Sequence, residues 1–128
     1  LEQPGSSLVV AFTDGSDVSS WLTPDEVVAS AQRANAVVYA VTSPKVRHRS
    51  ALERLADVTG GEVVEIASDD QIHATFLRIL NRFRSRFVLS YTPTGVPPGG
   101  VHRIEVRVKP RGLTVKARRS YIGSPAGR

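Results

Sequence analysis

Three short apolar runs punctuate the first half of the chain: Ser7 to Thr13 (SLVVAFT), Ala36 to Val41 (AVVYAV) and Glu62 to Ala67 (EVVEIA). Each has strand length and is rich in β-branched residues, and a run apolar on both faces predicts a strand covered on both sides, as in a parallel sheet. Between the runs the period lengthens to that of a helix. Thr23-Pro24-Asp25-Glu26 offers a hydroxyl N-cap, a proline at the first helical position and carboxylates in the first turn, so a helix is predicted to about Asn35. Its Val27, Val28, Ala31 and Ala34 fall on one face. Ser50 to Thr59 carries Leu52, Leu55 and Ala56 and stops at Gly60-Gly61, where glycine can take the left-handed helix-ending conformation. Asp69 to about Arg86 reads as a long helix with Ile72, Phe76, Leu80, Phe83 and Phe87 recurring at spacings of three or four.

The resulting order, β-α-β-α-β-α, predicts an α/β body of parallel strands joined by right-handed crossovers in three layers, spanning residues 1–86. After Phe87 the pattern changes again. Phe87 to Tyr91 suggests a strand, and Thr92 to Gly100 (TPTGVPPGG) is a loop dense in Pro and Gly. Val101 to Lys109 then alternates, with Ile104, Val106 and Val108 set against Arg103, Glu105, Arg107 and Lys109. Pro110-Arg111-Gly112 predicts a three-residue hairpin connection. Leu113, Val115, Ala117 and Tyr121 line one face of the return. Residues 87–122 are therefore expected to form a small antiparallel meander of about three strands with one wet face, and 123–128 a frayed tail.

Composition narrows the possibilities. The 128 residues, 41% hydrophobic, suffice for one core. No run approaches the roughly 20 apolar residues a membrane span needs, and no basic-then-apolar start resembles a signal peptide. The chain opens on Leu1 and contains no Met, which is expected of a piece of a longer parent. Without cysteine there is no disulfide, thiolate nucleophile or Cys-type zinc site. The net charge of +5 conceals a division: Leu1 to Leu77 holds 5 basic and 11 acidic residues, and Arg78 onward holds 12 basic residues against one acid, Glu105. Two differently employed surfaces are implied.

A strand ending in Thr13-Asp14-Gly15, a helix, the Ala36 to Val41 run, a helix closed by Gly60-Gly61, a strand and a final helix resemble the second half of a von Willebrand factor type A domain. The continuation through Phe87-Val88-Leu89-Ser90-Tyr91-Thr92-Pro93, His102-Arg103-Ile104-Glu105-Val106 and Arg119-Ser120-Tyr121 is similar to bacterial relatives that carry a β-extension. The resemblance implies a Rossmann-like half-domain of a non-enzymatic recognition module outside the cytoplasm, gripping a protein partner through a divalent cation above the C-terminal strand ends. The open-sheet rule places ligands at that edge as well. In the family an Asp-x-Ser-x-Ser strand and a middle-loop Thr join the Asp of Thr-Asp-Gly to hold Mg²⁺ or Mn²⁺. Only Asp14 of that set occurs here, in an outer-shell role, and the resemblance puts the opening strands upstream of Leu1. The metal is thus expected in the intact parent domain and not in this chain by itself.

Around Asp14, the residues Ser16, Asp17 and Trp21 are candidate partner contacts. The plainer account of Asp14-Gly15 is a turn, of Ser16 and Asp17 a solvated loop, and of Trp21 a ring buried to anchor that loop. His48, His73 and His102 share no metal-binding spacing and are expected on the surface. No Gly-x-Ser-x-Gly elbow, catalytic Cys or phosphate loop supports an enzyme. The other signal is a basic stripe of Arg103, Arg107 and Lys109 on one strand, with Lys116 and Arg118 on its neighbour, a possible polyanion surface. A solvated outer face is the plainer reading, and nucleic acid is poorly served because stacking aromatics are scarce. A body short of strands should leave a sheet edge uncovered, so self-association is expected.

Overall fold

The computed structural model describes residues 5–14 and 21–123. It is a mixed α/β structure in which β1 (Ser7–Thr13), β2 (Ala36–Thr42) and β3 (Glu62–Glu65) form a parallel sheet in the order β1-β2-β3. Helices α1 (Pro24–Arg33) and α2 (Arg49–Thr59) lie between the strands in sequence. A 3₁₀ turn (Asp69–Gln71) leads into α3 (Ile72–Arg84), and a short antiparallel pair, β4 (Val101–Arg103) and β5 (Ser120–Ile122), closes the described chain.

The central strand shows why the long apolar run was needed. All residues of β2 from Val37 to Thr42 are buried, because helices cover both faces of the sheet. Register pairs Leu8, Val10 and Phe12 with Val37, Tyr39 and Val41, so these six side chains share one face. Val37, Tyr39, Val41 and Val64 pack there with Ile79 of α3, and Leu8, Val10, Ile66 and Phe83 surround them. The opposite face carries Val38 and Ala40 and lies under α1 and α2, where Val28, Ala56 and Thr59 are buried. The Thr59 hydroxyl accepts from Val38 N–H (3.1 Å) and donates back to the Leu55 carbonyl (2.9 Å), tying the end of α2 to the middle strand.

Local chemistry sets the helix ends. Thr23 caps α1 in a reciprocal box: its hydroxyl accepts from Glu26 N–H (3.3 Å), and the Glu26 carboxylate accepts from Thr23 N–H (2.7 Å). The Thr23 N–H, together with the Thr23 hydroxyl that donates to the same carboxylate (2.8 Å), holds the Glu26 carboxyl below its ordinary value. Gly60 ends α2 at φ +77°, the left-handed position that favours glycine.

Two expectations change in the long helix and beyond it. The stripe of α3 that meets the sheet is Thr75, Ile79 and Phe83, whereas Ile72 and Phe76 stay more than a third exposed. The helix is rolled relative to the predicted Ile72-Phe76-Leu80 face because it covers the β2–β3 side of the sheet. Beside it Phe12 of edge strand β1 is 48% exposed. Beyond α3, Phe87 to Tyr91 forms no strand, and its Phe87 is 95% exposed. The meander shrinks from three strands to two. Its ladder covers three residue pairs, Val101 with Ile122 through Arg103 with Ser120, and one further bond runs from Ile104 N–H to the Arg119 carbonyl (2.8 Å). At the expected turn, Gly112 takes φ +84°, a left-handed position that favours glycine. Of the predicted tail, Gly123 donates to the Gly100 carbonyl (2.8 Å), and residues 124–128 lie outside the described residues.

Candidate functional site

The sheet presents two ends, and the sequence-derived candidates divide between them. All three strands run the same way, so their C-terminal ends, at Thr13, Thr42 and Glu65, lie abreast at one edge. Asp14 follows β1 there and is exposed. Ser16 and Asp17 lie outside the described residues. Trp21, expected to bury its ring as an anchor, is 98% exposed, a correction that leaves it open to a partner.

One residue at this edge escaped the sequence reading. Thr42 ends the buried run of β2 between Thr13 and Glu65, and its hydroxyl is buried without a hydrogen-bond partner. A polar residue closing an otherwise apolar run was the signal available. Glu65 beside it pairs with Arg49 at 2.6 Å, and Arg49 also holds Glu53 at 2.8 Å, so the start of α2 is pinned to the end of β3. Among the described residues no three His, Cys, Asp or Glu side chains gather as a metal cluster. Among the described residues this edge offers the Asp14 and Glu65 carboxylates and the Thr13 and Thr42 hydroxyls, hard oxygen donors of the kind that suit Mg²⁺.

The opposite end holds the hairpin. Arg118 Nη1 donates to Asn35 Oδ1 (2.6 Å) and Nη2 to the Gln32 carbonyl, both at the end of α1. Gln32 Nε2 donates to Ser120 Oγ (2.5 Å), Arg119 N–H donates to the Val58 carbonyl (3.3 Å), and the Arg119 guanidinium pairs with Asp57 (2.7 Å). Lys116 pairs with Glu62 (2.7 Å), which also accepts from Arg82 (2.7 Å). The basic stripe is therefore split. Arg118 is half-buried against the body, contrary to the wet face expected of it, whereas Arg103, Arg107 and Lys109 remain exposed, as does Lys116 while it pairs with Glu62. Alternation explains a wet face only where nothing lies beneath it, and here the polar ends of α1 and α2 do. Burial pushes the Arg118 guanidinium below its ordinary value. Arg107 bonds Glu105 at 2.7 Å and holds that carboxyl low, with Arg103 adding a through-space pull.

The hairpin and the body enclose a groove of about 720 Å³, walled on one side by Arg49, Asp57 and Val63 and on the other by Arg103, Val115 and Arg118. Outside the groove lining, the His102 ring, half-buried rather than at the surface as expected, lies 5.1 Å from that of Tyr121 and hydrogen-bonds the Gly99 carbonyl (2.7 Å). Tyr91 meets Tyr121 edge-on at 6.4 Å. Burial, with the Tyr91 phenol alongside, raises the Tyr121 hydroxyl above its ordinary value. His48 and His73 are exposed.

No protein-family model matches the chain, and no curated protein does. Among solved structures, the crystal structure of an uncharacterized membrane spanning protein from Vibrio fischeri superimposes with a TM-score of 0.53 at 17% identity. The match covers 59% of this chain and 46% of that one. The likeness is one of fold, and this chain spans under half of that structure's length. Among the described residues here, no helix is long and apolar enough to cross a membrane.

Proposed function

We propose that the chain is the C-terminal part of a von Willebrand factor type A-like recognition domain, extracytoplasmic and non-enzymatic, that binds a protein partner at the C-terminal edge of its parallel sheet. The observation that carries this reading is Asp14, exposed directly after edge strand β1 and beside the ends of β2 and β3, with the exposed Trp21 in the bend that precedes the Thr23 cap of α1. Strands preceding β1 in a longer parent would lie along its open edge and bring further oxygen ligands beside Asp14. A hard divalent cation held there would supply a charge to which an acidic group on the partner coordinates.

The test is a calorimetric titration of Mg²⁺ and Mn²⁺ into this chain and into a longer chain carrying the parent's preceding residues. The expected result is no detectable binding by the first, and binding by the second that Asp14→Ala abolishes. A longer chain that takes no metal, or whose binding survives Asp14→Ala, overturns the reading. In the short chain the uncovered flank, with Val9 and Phe12 of β1 each more than two-fifths exposed, is expected to drive self-association. Light scattering across a wide concentration range checks this, and an unchanging monomer mass refutes it.

A further inference from the structure

The groove beneath the hairpin has three properties that together specify a ligand. The first is charge. Each carboxylate that lines it is engaged: Glu53 by Arg49, Asp57 by Arg119, Glu62 by Lys116 and Arg82, and Glu105 by Arg107. Two lining guanidiniums have no carboxylate partner among the described residues. Arg118 is held by an amide oxygen and a backbone carbonyl, and Arg103 forms no ion pair. The lining as a whole is left with a small excess of positive charge, five cations against four carboxylates, and Arg103 and Arg118 on the hairpin wall are the cations without a hydrogen-bonded carboxylate among the described residues.

The second property is an open backbone edge. Strand β3 pairs with β2 alone, and Ile66 N–H just beyond it donates to the Thr42 carbonyl (2.9 Å). Alternate residues of a strand direct their N–H and C=O groups to opposite sides, so those of Val63 and Glu65 point away from β2. Val63 lies in the groove lining. An extended chain laid there would find a main-chain donor and acceptor waiting, the mode by which sheet edges accept peptides.

The third is length. Arg49 and Gly60, at either end of α2, both line the groove. At the helical rise per residue they are about 16 Å apart, the span of about five residues of extended chain. A wide polyphosphate surface is not what the hairpin offers, because Lys116 and Arg119 are already paired with Glu62 and Asp57 and Arg118 is half-buried against α1.

We infer that this groove binds an extended acidic peptide segment of about five residues, paired through its backbone to the outer edge of β3 and with its carboxylates directed at Arg103 and Arg118. The two contact arginines lie on the hairpin, away from Asp14, while the groove itself runs along α2 as far as Arg49 beside the end of β3.

Fluorescence anisotropy with a labelled hexapeptide of alternating Val and Glu tests it on the chain as it stands. Arg103→Ala, at an exposed position, is expected to weaken binding at least fivefold. Arg111→Ala, in the turn and outside the groove, is expected to change it less than twofold. A peptide with Pro at its two central positions, which lack N–H donors, is expected to bind at least fivefold more weakly. No binding of the alternating peptide, equal losses in Arg103→Ala and Arg111→Ala, undiminished binding of the Pro peptide, or tighter binding of a short polyphosphate each overturns the inference.

Discussion

The α/β body and the C-terminal hairpin are held together by different physics. In the body, β2 is buried along nearly its whole length, and Ile79, Val41 and Tyr39 sit in a dry cluster between sheet and helix. In the hairpin, Leu113 is 63% exposed and only three residue pairs form a ladder, and the segment is attached by Arg118, Arg119, Lys116 and Ser120. An isolated two-stranded ribbon is marginal in water, so its polar tethers decide where it lies. Apolar burial makes the body cohere; the hairpin is positioned by hydrogen bonds and ion pairs whose exposed members contribute little individually.

Substitutions can break or sharpen that contrast. The largest effect is expected from Ile79→Ala, a full burial on the sheet-facing stripe of α3, at about 3 kcal/mol in denaturant melts. A loss well under that would mean that α3 does not seal the sheet. Gly60→Ala comes next, because it strikes the junction. A Cβ there would sit 2.8 Å from the Ala117 carbonyl carbon and would occupy a left-handed backbone. The conformation alone costs about 1–2 kcal/mol. Hydrogen exchange should quicken at Ile104 and Arg119 while the amides of β2 stay protected, and uniform quickening would show that the regions are one cooperative unit. Thr23→Ala, which removes the α1 cap, should cost about 1 kcal/mol by thermal melting. Because Glu26 is held below its unfolded value, the capping contribution is complete above the ordinary carboxylate range and fades as pH falls through the lower folded value. The Thr23→Ala deficit should therefore shrink in acid. Smallest and opposite in sign is Thr42→Val, which replaces a buried hydroxyl that has no partner and should stabilise by up to about 1 kcal/mol.

The same contrast explains what was legible in the sequence. Runs such as AVVYAV carry their meaning locally, since a strand apolar on both faces has few places to go, and the Thr23 box and Gly60 mark helix ends by chemistry within a few residues. Val101 to Lys109 alternates as clearly, yet whether Lys116 and Arg118 face water or protein depends on the polar helix ends that Gln32, Asn35 and Asp57 present from far along the chain. Alternation assigns residues to faces and leaves open what lies beneath each face. The roll of α3 escaped for a related reason: Phe76 and Ile79 both fit a helical stripe, and the breadth of the sheet beneath chooses between them. At the candidate site Asp14 was readable from Thr-Asp-Gly, but the orphaned Thr42 hydroxyl became visible only once three strand ends stood side by side.

That Asp14 and the hairpin occupy opposite ends of the sheet has an electrostatic consequence. Seven residues of β2 separate the two edges by about 20 Å. Charges in solvent are screened within about 8 Å at physiological ionic strength. A cation held at Asp14 would leave the potential at the Arg118 and Arg119 tethers, on the far side of that span, almost untouched. Added Mg²⁺ at fixed ionic strength should therefore leave the Arg103 contribution to peptide affinity unchanged.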